Sequence, residues 1–332
     1  MLSCAAAILD AVDAPVPGQD YPRTLREFNV WFPDEGACLE YLARLRWSGG
    51  FACPVCGCSQ FWRMSKGRNL RCAGCRVDAS VTAGTILADT RLPLTTWFQA
   101  AWYATWTKHG VSALSLQRVL GLGSYEAAWA LLHKLRRAMV RPGRDRLAGE
   151  VEADETYVGG VASGKRGRGA PNKAIVEVAV EKRGVGMGRC RLVRIPNSSG
   201  ESLLAAIEES VEPGTVVYTD HWGGYSGLAG AGYIHYPTAI SSSGDPAHVV
   251  MPRVHRIASL LKRWLLGTHQ GAVRPDHLDD YLAEFAFRFN RRTSTHRGLL
   301  FYRLLEQAVQ LEHVPFAKIA GHSQSPRGHR GR

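Results

Sequence analysis

Three groups of residues have the types and spacing that chemistry needs. The first is Cys53, Cys56, Cys72 and Cys75, in "CPVCGC" and "CAGC", a C-x2-C-x15-C-x2-C arrangement. Two tight knuckles each bring a pair of thiolates to one ion, and zinc takes four sulfurs tetrahedrally at about 2.3 Å. Gly57 and Gly74 are expected to allow the tight turns of the knuckles. Cys58 stays outside the set, because the paired spacing already supplies four ligands. Such a site is closed to water and therefore structural. The second group is acidic. "GEVEADETYVGG" reads as a strand that alternates Glu150, Glu152 and Asp154 onto one face. Three acids on one strand face require a cation or an exposed edge. In "TVVYTDHWGGY", Asp220 ends a β-branched run just before a glycine-rich turn, a common place for catalytic carboxylates in open α/β sheets. Two carboxylates from adjacent strands can share Mg²⁺. Two such ions about 4 Å apart can activate a water or a 3′-hydroxyl and stabilise the leaving oxygen. The plain alternatives are a turn cap for Asp220 and a surface ion pair for Asp154. The third group lies in "MPRVHRIASLLKRW", Met251 to Trp264. His255, Ser259 and Lys262 fall opposite an apolar face of Ile257, Leu260, Leu261, Trp264 and Leu265. Seven residues are nearly two turns, so the imidazole and the ammonium point the same way about 10 Å apart. The plain alternative is a solvated basic face.

The elements that must position these residues change in texture along the chain. Residues 1–22 read as a loose leader and 23–50 as a short helical unit stopped at Gly49-Gly50. Residues 51–80 hold the cysteines on short β-type segments, with Arg63, Lys66, Arg68, Arg71 and Arg76 around them as candidate DNA contacts. Residues 92–140 are helical. "LTTWFQAAWYATWTKHG" is one helix, and "SALSLQRVLGLGSYEAAWALLHKLRRAM" is two, broken at Gly121-Leu122-Gly123. That pair is helix-turn-helix-like, with Ser124 and Tyr125 toward a groove and Lys134, Arg136 and Arg137 as DNA-backbone contacts. From about residue 149 there are four β-rich runs, a serine-capped helix "SGESLLAAIEESVEPG" and two long helices, the second around "PDHLDDYLAEFAFRFNRR". The order β-β-β-α-β-α implies an α/β nuclease-type core over 149–309. Lys165, Arg166 and Arg168, in the glycine-rich loop "VASGKRGRGAPN", are further candidates for the DNA backbone. His221 could support Asp220 or pack the turn, and Glu155 points away from Asp154. Glu284 and Asn290 read as packing or capping residues. The tail 310–332 reads as basic and disordered.

Composition narrows the class of partner. The chain has 332 residues, 41 basic and 29 acidic, for a net charge of +12, which suits a polyanion, nucleic acid ahead of membrane. No apolar run reaches the roughly 18 residues that span a bilayer, and the N-terminus lacks the basic start of a signal peptide. Five of the eight cysteines lie between Cys53 and Cys75, which reads as a metal site in a reducing, cytoplasmic compartment rather than a disulfide framework.

Taken together, "GFACPVCGC", "LPLTTWFQAAW", "EADETYVGG", "YTDHWGGY", "LKRWLLGTH" and "YLAEFAFRFNRR" resemble the IS-fifteen-ninety-five (ISXO-type) family of bacterial insertion-sequence transposases. The likeness runs from about Tyr21 to Val309 with the motifs in family order. It implies a zinc ribbon, a helical DNA-binding segment and an RNase H-like core, a mixed sheet flanked by helices. It also implies metal-dependent cleavage at the terminal inverted repeats of a mobile element, strand transfer into target DNA, and a homo-oligomer assembled on double-stranded DNA near the nucleoid. By position, Asp154 and Asp220 match the first two acids of a DDE-type site. The third position, seven residues before the lysine that is here Lys262, falls on His255. Members often carry glutamate or asparagine there, so this is a DDH-K variant. Neutral imidazole can ligate a divalent ion without adding negative charge and favours softer ions. The expected catalytic ion, Mg²⁺ or Mn²⁺ on Asp154, Asp220 and His255, therefore leans toward Mn²⁺. Lys262 would hold a DNA phosphate. The competing readings are a non-catalytic zinc-ribbon regulator and an RNase H-like nuclease without strand transfer. A regulator has no need of Asp154, Asp220, His255 and Lys262.

Overall fold

Side-chain caps and glycines cut the first half of the chain into short helices. The structure is a computed structural model, and it describes residues 14–64, 69–141, 143–159, 173–238, 247–271 and 273–320. Helix α1 (Leu25–Trp31) is capped by Thr24, and α2 (Glu35–Arg46) by Asp34, whose Oδ1 accepts from Ala37 N–H at 2.9 Å. Then come three short antiparallel strands, β1 (Phe61–Arg63), β2 (Asn69–Cys72) and β3 (Asp78–Ser80). Helix α3 (Leu94–Trp106) follows Pro93, and α4 (Ala113–Leu120) ends on Gly121 at φ 63. Helix α5 (Tyr125–Arg137) is capped by Ser124. Phe28, Phe32, Phe98 and Trp102 make the centre of this helical core.

The second half is an α/β unit. Strands β4 (Glu150–Val158), β5 (Ala174–Arg183) and β6 (Gly186–Ile195) pair antiparallel. After α6 (Gly200–Ser210), β7 (Val216–Asp220) and β8 (Ile234–Thr238) add in parallel beside β4, giving a mixed sheet in the order β6-β5-β4-β7-β8. Alternation sends Ala153, Ala179 and Val217 toward α6. The other face packs Val176, Val178 and Val180 against two helices, α7 (Pro252–His269) and α8 (Leu278–Asn290). Helix α7 buries Val254, Ile257, Leu261 and Leu265, the face expected from the 3.6-residue period.

Three expectations change. A fifth strand, β8, was not among the four β-rich runs; it is an edge strand with Pro237 in it and Ile234 half-exposed. The last helix, α9 (Gly298–Ala308), packs Leu300, Phe301, Leu304 and Leu305 into the helical core rather than onto the sheet. The leader and the tail are docked where they are described. Tyr21 is buried against Tyr302, and Ile319 is buried in a short helical turn, Phe316–Ile319.

Candidate active site and metal centre

The cysteine knuckles have the dimensions of a metal site. Cys53 Sγ lies 3.6 Å from Cys75 Sγ, Cys56 Sγ lies 3.5 Å from Cys72 Sγ, and all four sulfurs are within 4.8 Å of one another. Four tetrahedral bonds of about 2.3 Å separate sulfurs by about 3.8 Å, so zinc fits. The knuckles are built alike. Gly57 (φ 72) donates its N–H to Cys53 O, and Arg76 (φ 60) donates to Cys72 O. The left-handed residue of the second knuckle is thus Arg76, not the expected Gly74. Gly74 is small for another reason: a Cβ there would sit 3.1 Å from Cys58 Cβ. Backbone N–H groups of Cys56 and Val55 hold the Cys53 thiol below its ordinary pKa, and that of Cys75 draws Cys72 down to about 6. The first cysteine of each knuckle is thereby biased to thiolate, the form that binds metal. Cys58 lies outside the set, with its Sγ 3.8 Å from Gln60 O. Of the surrounding cations, Arg63 pairs with Glu40 and Arg71 with Asp78. Lys66 and Arg68 lie outside the described residues.

Two acidic residues meet on neighbouring parallel strands, Asp154 in the middle of β4 and Asp220 at the carboxyl end of β7. Glu152 of β4 is in register with Tyr218 of β7. Two residues further along each strand, Asp154 and Asp220 therefore stand at the same level on neighbouring strands. Asp154 Oδ1 accepts from Glu155 N–H at 2.8 Å, and Asp220 Oδ1 from Trp222 N–H at 3.2 Å. His255 comes in from the first turns of α7, with Nε2 3.9 Å from Asp154 Oδ2. Lys262 lies two turns along the same helix. Burial holds its ammonium below the ordinary lysine pKa, Lys173 adds to that, and the charge of Asp154 opposes it. Lys262 and Lys173 share the wall of a cavity of about 320 Å³ with Tyr157 and Val273.

The acid next to Asp154 has a role the sequence did not disclose. Glu152 is buried, and its carboxylate accepts from the N–H groups of Arg253 (2.8 Å) and Val254 (3.1 Å) and from Arg253 Nη1 (2.7 Å). Met251, at the cap position of α7, offers no side-chain cap. A strand residue thus caps the helix that carries His255, and its negative charge suits the helix N-terminus. Glu150, two residues back, pairs with Lys182 at 2.6 Å. Each acid on this strand face meets a different cationic or polar partner. On the other face, Glu155 accepts from Tyr225 Oη at 3.3 Å and lies across from Glu177. Glu177 is fully buried without a hydrogen-bond partner; burial, then the charges of Asp154 and Glu155, push its pKa well up.

The helical cations sit elsewhere than expected. Arg136, expected on the DNA backbone, is buried instead, with Nε 2.8 Å from Glu284 Oε2 and both side chains 2% exposed. Its partner lies on α8, so the pair joins the helical core to the α/β unit. Arg137 meets Asp280 at 3.4 Å, and Lys134 lies half-buried over the Trp97 ring. Helix α5 is buried along one side from Ala128 to Arg136, and its exposed end is the first turn, at Tyr125 and Glu126. Glu284 is a packing residue, as expected. Asn290 brackets Cys190 with two hydrogen bonds, from Cys190 N–H to Oδ1 and from Nδ2 to Cys190 O, on the edge strand β6. His221 is exposed. Lys165, Arg166 and Arg168 lie outside the described residues. Among the described residues, no helix is long and apolar enough to cross a membrane.

Two family models match the chain. The ISXO2-like transposase domain covers residues 146–290, and the transposase zinc-ribbon domain covers residues 33–77. The first match contains Asp154, Asp220, His255 and Lys262, and the second contains all four knuckle cysteines. No curated protein matches the chain significantly.

Proposed function

We propose that this chain, which matches an ISXO2-like transposase domain over residues 146–290 and a transposase zinc-ribbon domain over residues 33–77, is a transposase that cuts DNA at the terminal inverted repeats of an insertion sequence and joins the freed ends to target DNA. DNA binding and a zinc-holding ribbon come with the family and with the four-cysteine cluster. The observation that carries the catalytic reading is the pair of carboxylates at one level on adjacent parallel strands, with His255 3.9 Å from the first. The strand order β6-β5-β4-β7-β8, three antiparallel strands and two parallel ones, supports an RNase H-like core spanning 149–290.

In this reading Asp154, Asp220 and His255 hold Mg²⁺ or Mn²⁺. The bound ion supplies charge against the phosphate and acidifies water. Two aspartates give the site a net charge of −2, one less negative than a third carboxylate would make it. His255, with an imidazole nitrogen as donor, suits Mn²⁺ better than a carboxylate would. Lys262 holds a non-bridging phosphate oxygen as a point charge. Water adds to the scissile phosphorus, the bond to the 3′ oxygen breaks, and that oxygen leaves as a hydroxyl. The same hydroxyl then attacks a target phosphodiester and releases a new 3′ end, so strand transfer needs no outside energy source. The exposed first turn of α5 is the proposed DNA-facing surface, and the charges of Lys165, Arg166 and Arg168 make them further proposed DNA contacts. Joining two ends of one element calls for two such sites, hence a homo-oligomer on DNA.

Asp220→Ala is expected to abolish cleavage of end-containing DNA while leaving DNA binding within a few fold. His255→Glu keeps cleavage and shifts it toward Mg²⁺, whereas His255→Ala loses it. Normal cutting and joining by Asp220→Ala or His255→Ala refutes the assignment. Cutting without joining by the unaltered protein leaves a nuclease instead.

A further inference from the structure

A second compact donor group lies away from both of these sites, where α5 meets α8. His133 of α5, His277 just before α8, and Asp280 in the first turn of α8 each offer one donor atom, and the three atoms lie within 4.8 Å of one another. His133 is 0% exposed and His277 8%. Asp280 Oδ2 is 2.7 Å from His133 Nδ1, and Arg137 Nε is 3.4 Å from its other oxygen. An ion held by His133 Nδ1 and Asp280 Oδ2 would take the place of the proton they share, with the second imidazole within reach and Arg137 on the other carboxylate oxygen. Trp129 packs against both imidazoles, tilted to His133 at 4.2 Å and edge-on to His277 at 4.9 Å between centroids, and screens them from water.

We propose that His133, His277 and Asp280 bind a divalent transition-metal ion of the zinc class, which ties the helical core to the α/β unit. Two imidazoles and one carboxylate are the donors of zinc and of the later first-row ions rather than of Mg²⁺. The protein supplies three ligands, and water takes the fourth position. This site is separate from the four cysteines and from Asp154, Asp220 and His255, and its test does not read DNA cleavage.

The test counts metal in the full chain carrying Asp154→Asn and Asp220→Asn, so that the carboxylate site contributes nothing. After dialysis against zinc and removal of free ion, elemental analysis is expected to give two zinc per chain, falling to one when His277→Gln is added. Cobalt loading gives two signatures, thiolate charge-transfer bands from the cysteines and d–d bands from the new site. His277→Gln removes only the d–d bands of the new site, and the surviving charge-transfer bands show that the chain is folded. If His277→Gln does not fold, Asp280→Asn serves: it keeps the shape and is expected to weaken the second zinc at least tenfold in a competition titration. One zinc per chain in the parent, or two zinc with unchanged affinity in the folded variants, overturns the proposal and leaves a hydrogen-bonded polar joint.

Discussion

Removing the Glu152 carboxylate separates a mounting role from surface charge. The side chain takes two backbone N–H groups at the start of α7 and the Arg253 guanidinium, with Glu152 4% and Arg253 14% exposed. Glu152→Ala leaves a largely buried cation without its counter-charge, held only by the carbonyls of Gly184 and Gly186, and two helix donors unsatisfied, which costs about 3–5 kcal/mol by the usual loss when one partner of a buried pair is removed. Glu152→Gln keeps an acceptor for the N–H groups but gives up the charge, which costs about 1.5–3 kcal/mol. The control is Glu150→Gln on the same strand face. Its Lys182 pair has side chains 50% and 23% exposed, so it is worth at most about 1 kcal/mol. Urea unfolding followed by tryptophan fluorescence reads these costs as midpoint shifts at constant slope. The functional readout is cleavage of end-containing DNA. His255 begins one residue past the capped amides, so loosening this turn moves the imidazole against Asp154. Cleavage by Glu152→Gln is expected to fall more than tenfold, with DNA binding within twofold and Glu150→Gln unaffected. If Glu152→Ala unfolds at the wild-type midpoint and cuts at the wild-type rate, the strand does not mount the helix.

Two further perturbations test the packing. Gly298→Ala would place a Cβ 1.8 Å from Pro22 O and 2.9 Å from Tyr21 Cδ2, prying the 17–22 segment from α9. Overpacking of this kind costs about 1–3 kcal/mol, seen as a lower unfolding midpoint and faster proteolysis near Arg23; an unchanged protein contradicts the docked segment. Glu177→Gln tests the buried acid. Its pKa is raised in the fold, so the folded state holds a proton that the unfolded chain releases above about pH 4.5. Wild-type stability from this group is full below that pH and falls as pH rises, by up to about 1.4 kcal/mol per unit. The variant should therefore be the more stable at pH 8, with the gap closing toward pH 4.5, and a pH-independent gap excludes a neutral Glu177.

What the sequence disclosed follows the range of the interactions. The zinc knuckles were legible because four thiols and their turns lie within one short stretch, and even there the second left-handed residue was Arg76 rather than a glycine. The apolar face of α7 was legible because its period is local. Alternation placed Asp154 on a strand face and a β-branched run placed Asp220 at a strand end, and their common level needs only the parallel register. By contrast, Glu152 and Arg253 are 101 residues apart, and Arg136 and Glu284 are 148 apart. Neither pairing leaves a trace in local composition. Arg136 follows Lys134 at the basic end of a helix and so looks like a phosphate ligand, yet it finds its counter-charge inside the protein. Strand β8 escaped because its half-exposed residues and Pro237 dilute the alternation of an edge strand.

The same long-range contacts explain why His255 can sit on a helix whose outer face is solvated. Helix α7 has no side-chain cap of its own, and a helix held only by its apolar stripe is free to slide along the sheet. It is instead fixed near both ends by polar contacts of defined geometry. At the start, Glu152 takes the amides of Arg253 and Val254. Near the end, Trp264 Nε1 and Thr268 Oγ1 both donate to the carbonyl of His109 at 2.9 Å, and that carbonyl belongs to the loop leaving α3. The sheet fixes one end and the helical core fixes the other. Hydrogen bonds constrain position along the helix axis in a way that apolar burial does not. The 3.9 Å approach of His255 to Asp154 therefore depends on residues in both halves of the chain, and the helical core supports the proposed catalytic site as well as carrying the proposed DNA-facing turn.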